Sequence, residues 1–218
     1  MTLDIDHFVW GVPDFDQGCA EIESLFGVAP EPGGSHPAHG TCNALLSLGT
    51  GLYLEIMAPD NPSPGSTGAR LAQLDQPALV TWVLRCNDLS GLSQSVAHQN
   101  LGATALGPIE TARVTPDGDR LTWELLFLIQ HDFGGLVPFL IDWKATEHPS
   151  LSAPQAGSFL NLQIGSTRAL QLNTLLVGIG AGVAVHEQDH DQLTARFRAP
   201  SGEVLLQSTP QSLTVING

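Results

Sequence analysis

Positive charge is what this chain has least of. Eight Lys and Arg stand against 22 Asp and Glu, a formal net charge of −14, which repels nucleic-acid phosphates and anionic lipid headgroups alike. Neither nucleic acid nor a membrane surface is an expected partner. Charged residues of both signs make up only 14% of the chain, against roughly 25% in ordinary domains. Cysteine is also sparse. Cys19, Cys42 and Cys86 have no CxxC spacing and, being odd in number, cannot all pair, which argues against a disulfide framework and a zinc knuckle. Reduced thiols fit a cytoplasmic location. The longest apolar run, LLVGIGAGVAV from Leu175 to Val185, is too short and too rich in glycine to span a bilayer. The leading MTLDID carries acids where a signal peptide needs basic residues. Two catalytic signatures are missing too. No GxSxG occurs, and GIGAG (Gly178 to Gly182) ends a helical pattern instead of starting one, so its amides form no phosphate cradle.

What is present is a recurring pattern. The 218 residues, 42% of them apolar, suffice for a sizeable core, and one arrangement occurs three times: an apolar strand, a polar cap, an amphipathic helix, a glycine stop, then β-rich sequence. The first copy runs from Ile5 to Val12, caps at Asp14 with Gln17 in capping-box position, and places Phe15, Cys19, Ile22, Leu25 and Phe26 on one stripe before Gly27. The second runs from Ala78 to Cys86, caps at Asp88 and stops at Gly102. The third runs from Phe159 to Ile164, caps near Ser166, carries Leu170, Leu175, Leu176 and Ile179, and stops at Gly180. The caps are 74 and 78 residues apart, close to a fixed period.

Hairpins follow each helix, turning at Gly49-Thr50-Gly51, Asp117-Gly118 and Pro200-Ser201-Gly202. The predicted class is therefore α+β: repeated βαβββ units whose curved mixed sheets surround a cup, with helices on the outer face. Residues 1–145 are expected to hold two paired units (1–60 and 77–145), and 157–210 a third unit packed on them. The Pro- and Gly-rich stretches Ala58 to Pro77 and Lys144 to Gly157 read as linkers or surface loops.

Strand alternation puts Ile5, His7 and Val9 on one face and Phe8, Trp10 and Val12 on the other, the bulky aromatic set meeting the helix and His7 facing the open side. In LYLEIMAP, Glu55 shares a face with Tyr53 and Met57 while Leu54 and Ile56 take the other. A carboxylate among Leu, Ile and Met needs a metal, a cation or a proton. His7 and Glu55 are then half of a divalent-metal site, or a hydrogen-bonded pair that stabilises the sheet.

The strand–helix–hairpin layout with its DH and YLEI segments resembles the vicinal oxygen chelate (glyoxalase/bleomycin-resistance/dioxygenase) superfamily. GGSHPAHGTCNALLSLGTGLYLEIMAPD and PFLIDWKATEHPS resemble its glyoxalase-like domain family in particular. The resemblance implies a cup lined by the first and last strands of two units, each offering metal ligands. His7 and Glu55 would come from the first unit. From the second, Asp142 would stand opposite Glu55. Thr81, seven residues before its cap as His7 is before Asp14, replaces the usual second histidine. The implied cofactor is a divalent metal on His7, Glu55 and Asp142, with Mg, Mn, Fe(II), Ni and Zn all open. In the third unit the matching positions, Phe159 and Leu206, are apolar and offer no chemistry.

Other polar residues complete the candidate set. His36 in the Gly-rich loop suits a general acid/base or substrate contact, with Glu55 the other candidate catalytic group, while His39 on the same loop is expected to face solvent. Asn43, Thr81, Trp82, Trp143 and His148 are candidate substrate contacts. Trp123 is read as a cup wall or as packing. HEQDH (His186 to His190) has the two-histidine spacing of a zinc protease but follows a β-like run, where one helical turn cannot bring the imidazoles together. Two functions follow: a metal-dependent lyase, isomerase or dioxygenase acting on a small oxygenated substrate, or a metal-free protein that binds or sequesters a small molecule in an apolar cup. A second copy of the chain, forming a homodimer, is a candidate partner.

Overall fold

Each apolar run becomes a strand that leads into a helix. In the computed structural model, which describes residues 2–115 and 117–216, β1 (Asp4–Gly11) is followed by α1 (Phe15–Phe26), β2 (Glu31–His36), β3 (Thr41–Ser47) and β4 (Tyr53–Pro59). A short helix α2 (Thr67–Leu71) intervenes, and the order repeats with β5 (Ala78–Arg85), α3 (Leu89–Gln99), β6 (Thr104–Val114), β7 (Arg120–Ile129) and β8 (Phe139–Asp142). It recurs in β9 (Ser158–Ser166), α4 (Ala169–Gly178), β10 (Val185–Glu187), β11 (Gln192–Ala199) and β12 (Gly202–Gln207).

The first two groups close into one eight-stranded barrel in the order β1-β4-β3-β2-β6-β7-β8-β5. Within each group the first strand pairs parallel to the last, His7 with Tyr53 in one and Val83 with Phe139 in the other. The antiparallel β1–β5 pair and a single β2–β6 bridge, Ser35 to Val114, form the seams. The third group shares the element order and not the topology: its sheet runs β10-β9-β11-β12, with β9 central and antiparallel to β11. Repetition along the chain therefore overstates the likeness of the third group to the other two. Its role is to cover the outside of β1, where Phe159 and Phe197 pack on Phe8 and Phe197 also meets Phe26 of α1. Phe8 thus meets a sheet as well as lying in the core that the helices cover.

Caps set the helix starts. The Asp14 carboxylate accepts from the Gln17 amide and Gly27 closes α1 at φ +75°, a left-handed conformation that suits glycine. Asp14→Ala is expected to cost about 1 kcal/mol, read as a lower urea midpoint. α4 begins later than expected. Arg168 stands at its N-cap without a side-chain bond, Ser166 accepts from the Arg168 amide, and Leu170 is 81% exposed, so the buried stripe is Leu172, Leu175 and Leu176. The loop between β4 and β5 is more than a linker, since Leu71 and Leu74 enter the inner core beside Val9 and Val80. The HEQDH segment lies on β10 and the turn after it, with His190 against Asp189. Among the described residues no helix is long and apolar enough to cross a membrane.

Candidate functional site in the barrel lumen

Alternation along the barrel strands separates two sets of side chains. Phe8, Trp10, Leu54 and Ile56 face the outer core. His7, Tyr53, Glu55, Met57, Trp123, Leu125, Phe127 and Phe139 face inward, where they line a cavity with about 100 Å³ open to the centres of water-sized molecules. That is room for a small organic molecule and no more. Its walls are mostly aromatic and aliphatic, and its polar groups are few: His7, His36, His39, Thr41, Glu55, Thr111 and Arg113 among them.

At the centre is His7, 2% exposed. Its Nδ1 lies 2.8 Å from Asp6 Oδ1 and its Nε2 3.5 Å from Glu55 Oε2, while its ring stacks on Tyr53 at 4.5 Å. Asp6 is fully buried. Besides His7 it accepts from Trp143 Nε1 at 3.1 Å and from His148 Nε2 at 3.1 Å, and Arg85 Nε stands 3.9 Å away. The His148 tautomer follows from geometry: its Nδ1 accepts from the Ser150 amide, so Nε2 carries the hydrogen. Burial pulls the Asp6 carboxyl up, but the hydrogen bonds from His148 and His7 outweigh it and hold the group well below the usual carboxylate range. An ionised Asp6 accepts only, so Nδ1 of His7 must donate and Nε2 is left facing Glu55 and the cavity. Glu55 Oε1 takes a 2.7 Å hydrogen bond from Asn43 Nδ2.

Sequence alternation missed Asp6 because β1 carries a bulge. The register against β5 shifts between Ile5 and His7, which sends Ile5 to the outer core and frees Asp6 to turn beside His7. The signal was there: alternation assigned an acid to the same face as Phe8 and Trp10, where a carboxylate has no partner. Arg113 and Thr111 were missed as well, while Tyr53 was placed on the Glu55 face without a role.

His36 is 6% exposed and lines the cavity, with Nδ1 3.2 Å from Thr41 Oγ1 and its ring edge-on to Trp123. Burial is the main cause of its pKa being pushed down to about 4, with Arg113 adding to the fall and Glu55 opposing it. It is therefore a neutral hydrogen-bonding group near pH 7, poorly matched to shuttling protons there. The sign for stability follows. Unfolded chains protonate His36 below about pH 6.5 whereas folded ones resist down to about pH 4, so stability falls as pH drops through that window, by about 3–4 kcal/mol in all. His36→Gln is expected to flatten this part of the urea-midpoint profile between pH 7 and 4.5. His39, expected in solvent, is half-buried and lines the cavity, and burial lowers its pKa.

Several expected residues lie elsewhere. Asp142 is one position out of phase: Ile141 faces the lumen, and Asp142 points outward to Lys144 Nζ at 2.8 Å, beside Glu124. A shift of one residue in a strand changes the face. Thr81 is fully buried outside the cavity, its hydroxyl turned to the Trp82 carbonyl. Both strands end three residues before their caps, and the pairs His7–Val83 and Val9–Thr81 lie symmetrically about Phe8–Trp82, so Thr81 does match His7 in position while offering only a hydroxyl. Trp82 belongs to the outer core and donates to the Leu136 carbonyl. Trp143 does wall the cavity. His148 sits behind that wall, against Tyr53 and Trp143, and Asn43 stands beside Glu55.

The donor set does not suit a divalent ion. In the second half the counterpart of His7 is Thr81, a neutral hydroxyl turned to the Trp82 carbonyl, and that of Glu55 is Phe139, which pairs with Val83 as Glu55 pairs with Val9. His7 and Glu55 remain as two donors where an open catalytic site needs about three. Among the described residues no three of His, Cys, Asp and Glu are placed to share an ion.

Residues 5–179 match the family model of the glyoxalase-like domain. The chain belongs to that family. No curated protein matches it in sequence. Among solved structures, this glyoxalase-like protein is similar to a hypothetical protein from Staphylococcus aureus, with 17% identity, a TM-score of 0.66, and coverage of 94% of this chain and 85% of the other. It is also similar to methylmalonyl-CoA epimerase from Mycobacterium tuberculosis, at 22% identity and a TM-score of 0.49, over 63% and 85% of the two chains. The first of these likenesses bears on fold alone.

Proposed function

We propose that this glyoxalase-like protein binds a small molecule in the barrel lumen and moves a proton on it without a metal, as a lyase or isomerase would. The observation that carries this reading is His7 held between two carboxylates, Asp6 at 2.8 Å on Nδ1 and Glu55 at 3.5 Å from Nε2. Asp6 orients the imidazole, and Nε2 with Glu55 Oε2 gives two adjacent sites for a proton at the cavity wall. The 3.5 Å gap is longer than a formed hydrogen bond, so it leaves a place for a proton of the ligand. Base chemistry at such a site removes a hydrogen from carbon next to a carbonyl, and the neighbouring N–H and O–H donors meet the oxygen where charge develops. The metal dependence that the superfamily resemblance implies is not carried over, because the counterparts of His7 and Glu55 in the second half, Thr81 and Phe139, are a hydroxyl and a hydrocarbon.

The test uses chelator-treated protein in D2O with a panel of small ketones, acids and esters, followed by proton NMR. Protein-dependent loss of one C–H signal is the expected result. Saturable binding across the panel with no exchange on any member would instead support the sequestering reading, which the aromatic walls and Phe139, the apolar counterpart of Glu55, favour.

A further inference from the structure

Among the described residues, no acid neutralises Arg113, on β6. It lines the cavity and is only 9% exposed, yet among the described residues its guanidinium reaches no carboxylate within 4 Å and its buried Nε has no hydrogen-bond partner. The chain's other cations differ. Arg85, Arg120, Lys144, Arg168 and Arg196 each stand within 4 Å of an acid, Arg70 donates to two carbonyls, and Arg198 is exposed. In a protein with 22 acids for eight bases, leaving the deepest arginine unpaired costs several kcal/mol unless a ligand supplies the charge.

The surroundings are shaped for that arginine. β2 shifts register between Pro32 and Gly34, and a side chain on Gly33 would overlap both Arg113 Nη1 and Asn43 Oδ1, so glycine there leaves room for the guanidinium. Asn43 turns Nδ2 to Glu55, which leaves Oδ1 towards Arg113 and without a donor. The nearby carboxylate is thus already engaged by Asn43 and faces His7. Across β6–β7 Arg113 pairs with Leu121 and Thr111 with Trp123, so Trp123 and then Leu125 are the apolar lining residues nearest to Arg113 on β7.

We propose that the ligand is a small organic carboxylate, its anionic end on Arg113 and its hydrocarbon body against Trp123 and Leu125. One guanidinium matches one carboxylate in charge and in its two-pronged geometry, and the aromatic walls give a hydrocarbon body its binding energy where free phosphate finds none. This rests on the lumen being a ligand site, as proposed above, and not on proton transfer occurring there.

Trp123 and Trp143 line the cavity, so tryptophan fluorescence reports binding. The probes are benzoate, its neutral counterpart benzamide, and inorganic phosphate, none of which needs turnover. Benzoate is expected to saturate the signal at a concentration at least tenfold below benzamide, with phosphate weaker than benzoate. In Arg113→Gln that preference is expected to vanish, while Arg113→Lys keeps part of it. Equal affinity for benzoate and benzamide, phosphate as tight as benzoate, absence of binding, or an undiminished preference in Arg113→Gln would each overturn the proposal. If Arg113→Gln fails to fold, the benzoate-to-benzamide ratio in the unaltered protein decides. Benzoate selectivity without proton exchange on any compound would retire the reaction and leave this site standing.

Discussion

Asp6→Ala is expected to lower stability by about 3–5 kcal/mol, measured as a loss of urea midpoint at pH 7. The carboxylate has no exposed surface and accepts hydrogens from His7, His148 and Trp143 at 2.8–3.1 Å. Alanine would leave three buried N–H groups without an acceptor, each carrying its own desolvation cost. Asp6→Asn separates this structural burden from orientation. Its oxygen still serves His148, whose Nε2–H is fixed by the Ser150 amide bonding to Nδ1, but its amide hydrogens require His7 Nδ1 to accept. The imidazole then carries its hydrogen on Nε2, turned to Glu55. Asp6→Asn is therefore expected to cost less stability than Asp6→Ala while losing proton exchange almost as fully.

His7→Gln is expected to reduce exchange on a responsive compound by about 10²- to 10⁴-fold, the usual contribution of a positioned general base. Glutamine retains a donor for Asp6 and approximate size, so the melting temperature should move far less than in Asp6→Ala. The same variant should bind benzoate within a few-fold of the unaltered protein, because Arg113 is untouched. A fall in binding equal to the fall in exchange would show that His7 only shapes the cavity.

His7 and Glu55 were legible because an imidazole and a carboxylate stood out among Val, Tyr and Met, even though the bulge at Asp6 takes Ile5 off the face that His7 shares with Val9. Asp142 was misplaced by one residue because β8 is only four residues long and gives little from which to read its inward phase, whereas Thr81 matches His7 in spacing but turns its hydroxyl to the Trp82 carbonyl. The βαβββ order was readable in all three groups, since caps, stripes and turn glycines are local signals. Strand order in the third group was not, as it depends on which edges find each other in space. Arg113 gave no sign in sequence: in ETARV it reads as one more polar residue on a half-exposed strand, and only closure of the barrel across Ser35 and Val114 carries it inside.

The protonation of His7 tests the central claim most directly. Two-bond proton–nitrogen NMR of the protein as purified, at pH 7, should show the hydrogen on Nδ1, tied to Asp6, with Nε2 as the nitrogen whose signal responds to ligand. A hydrogen on Nε2 with none on Nδ1, or an Nε2 signal that moves only when a divalent metal is added or removed, would contradict it.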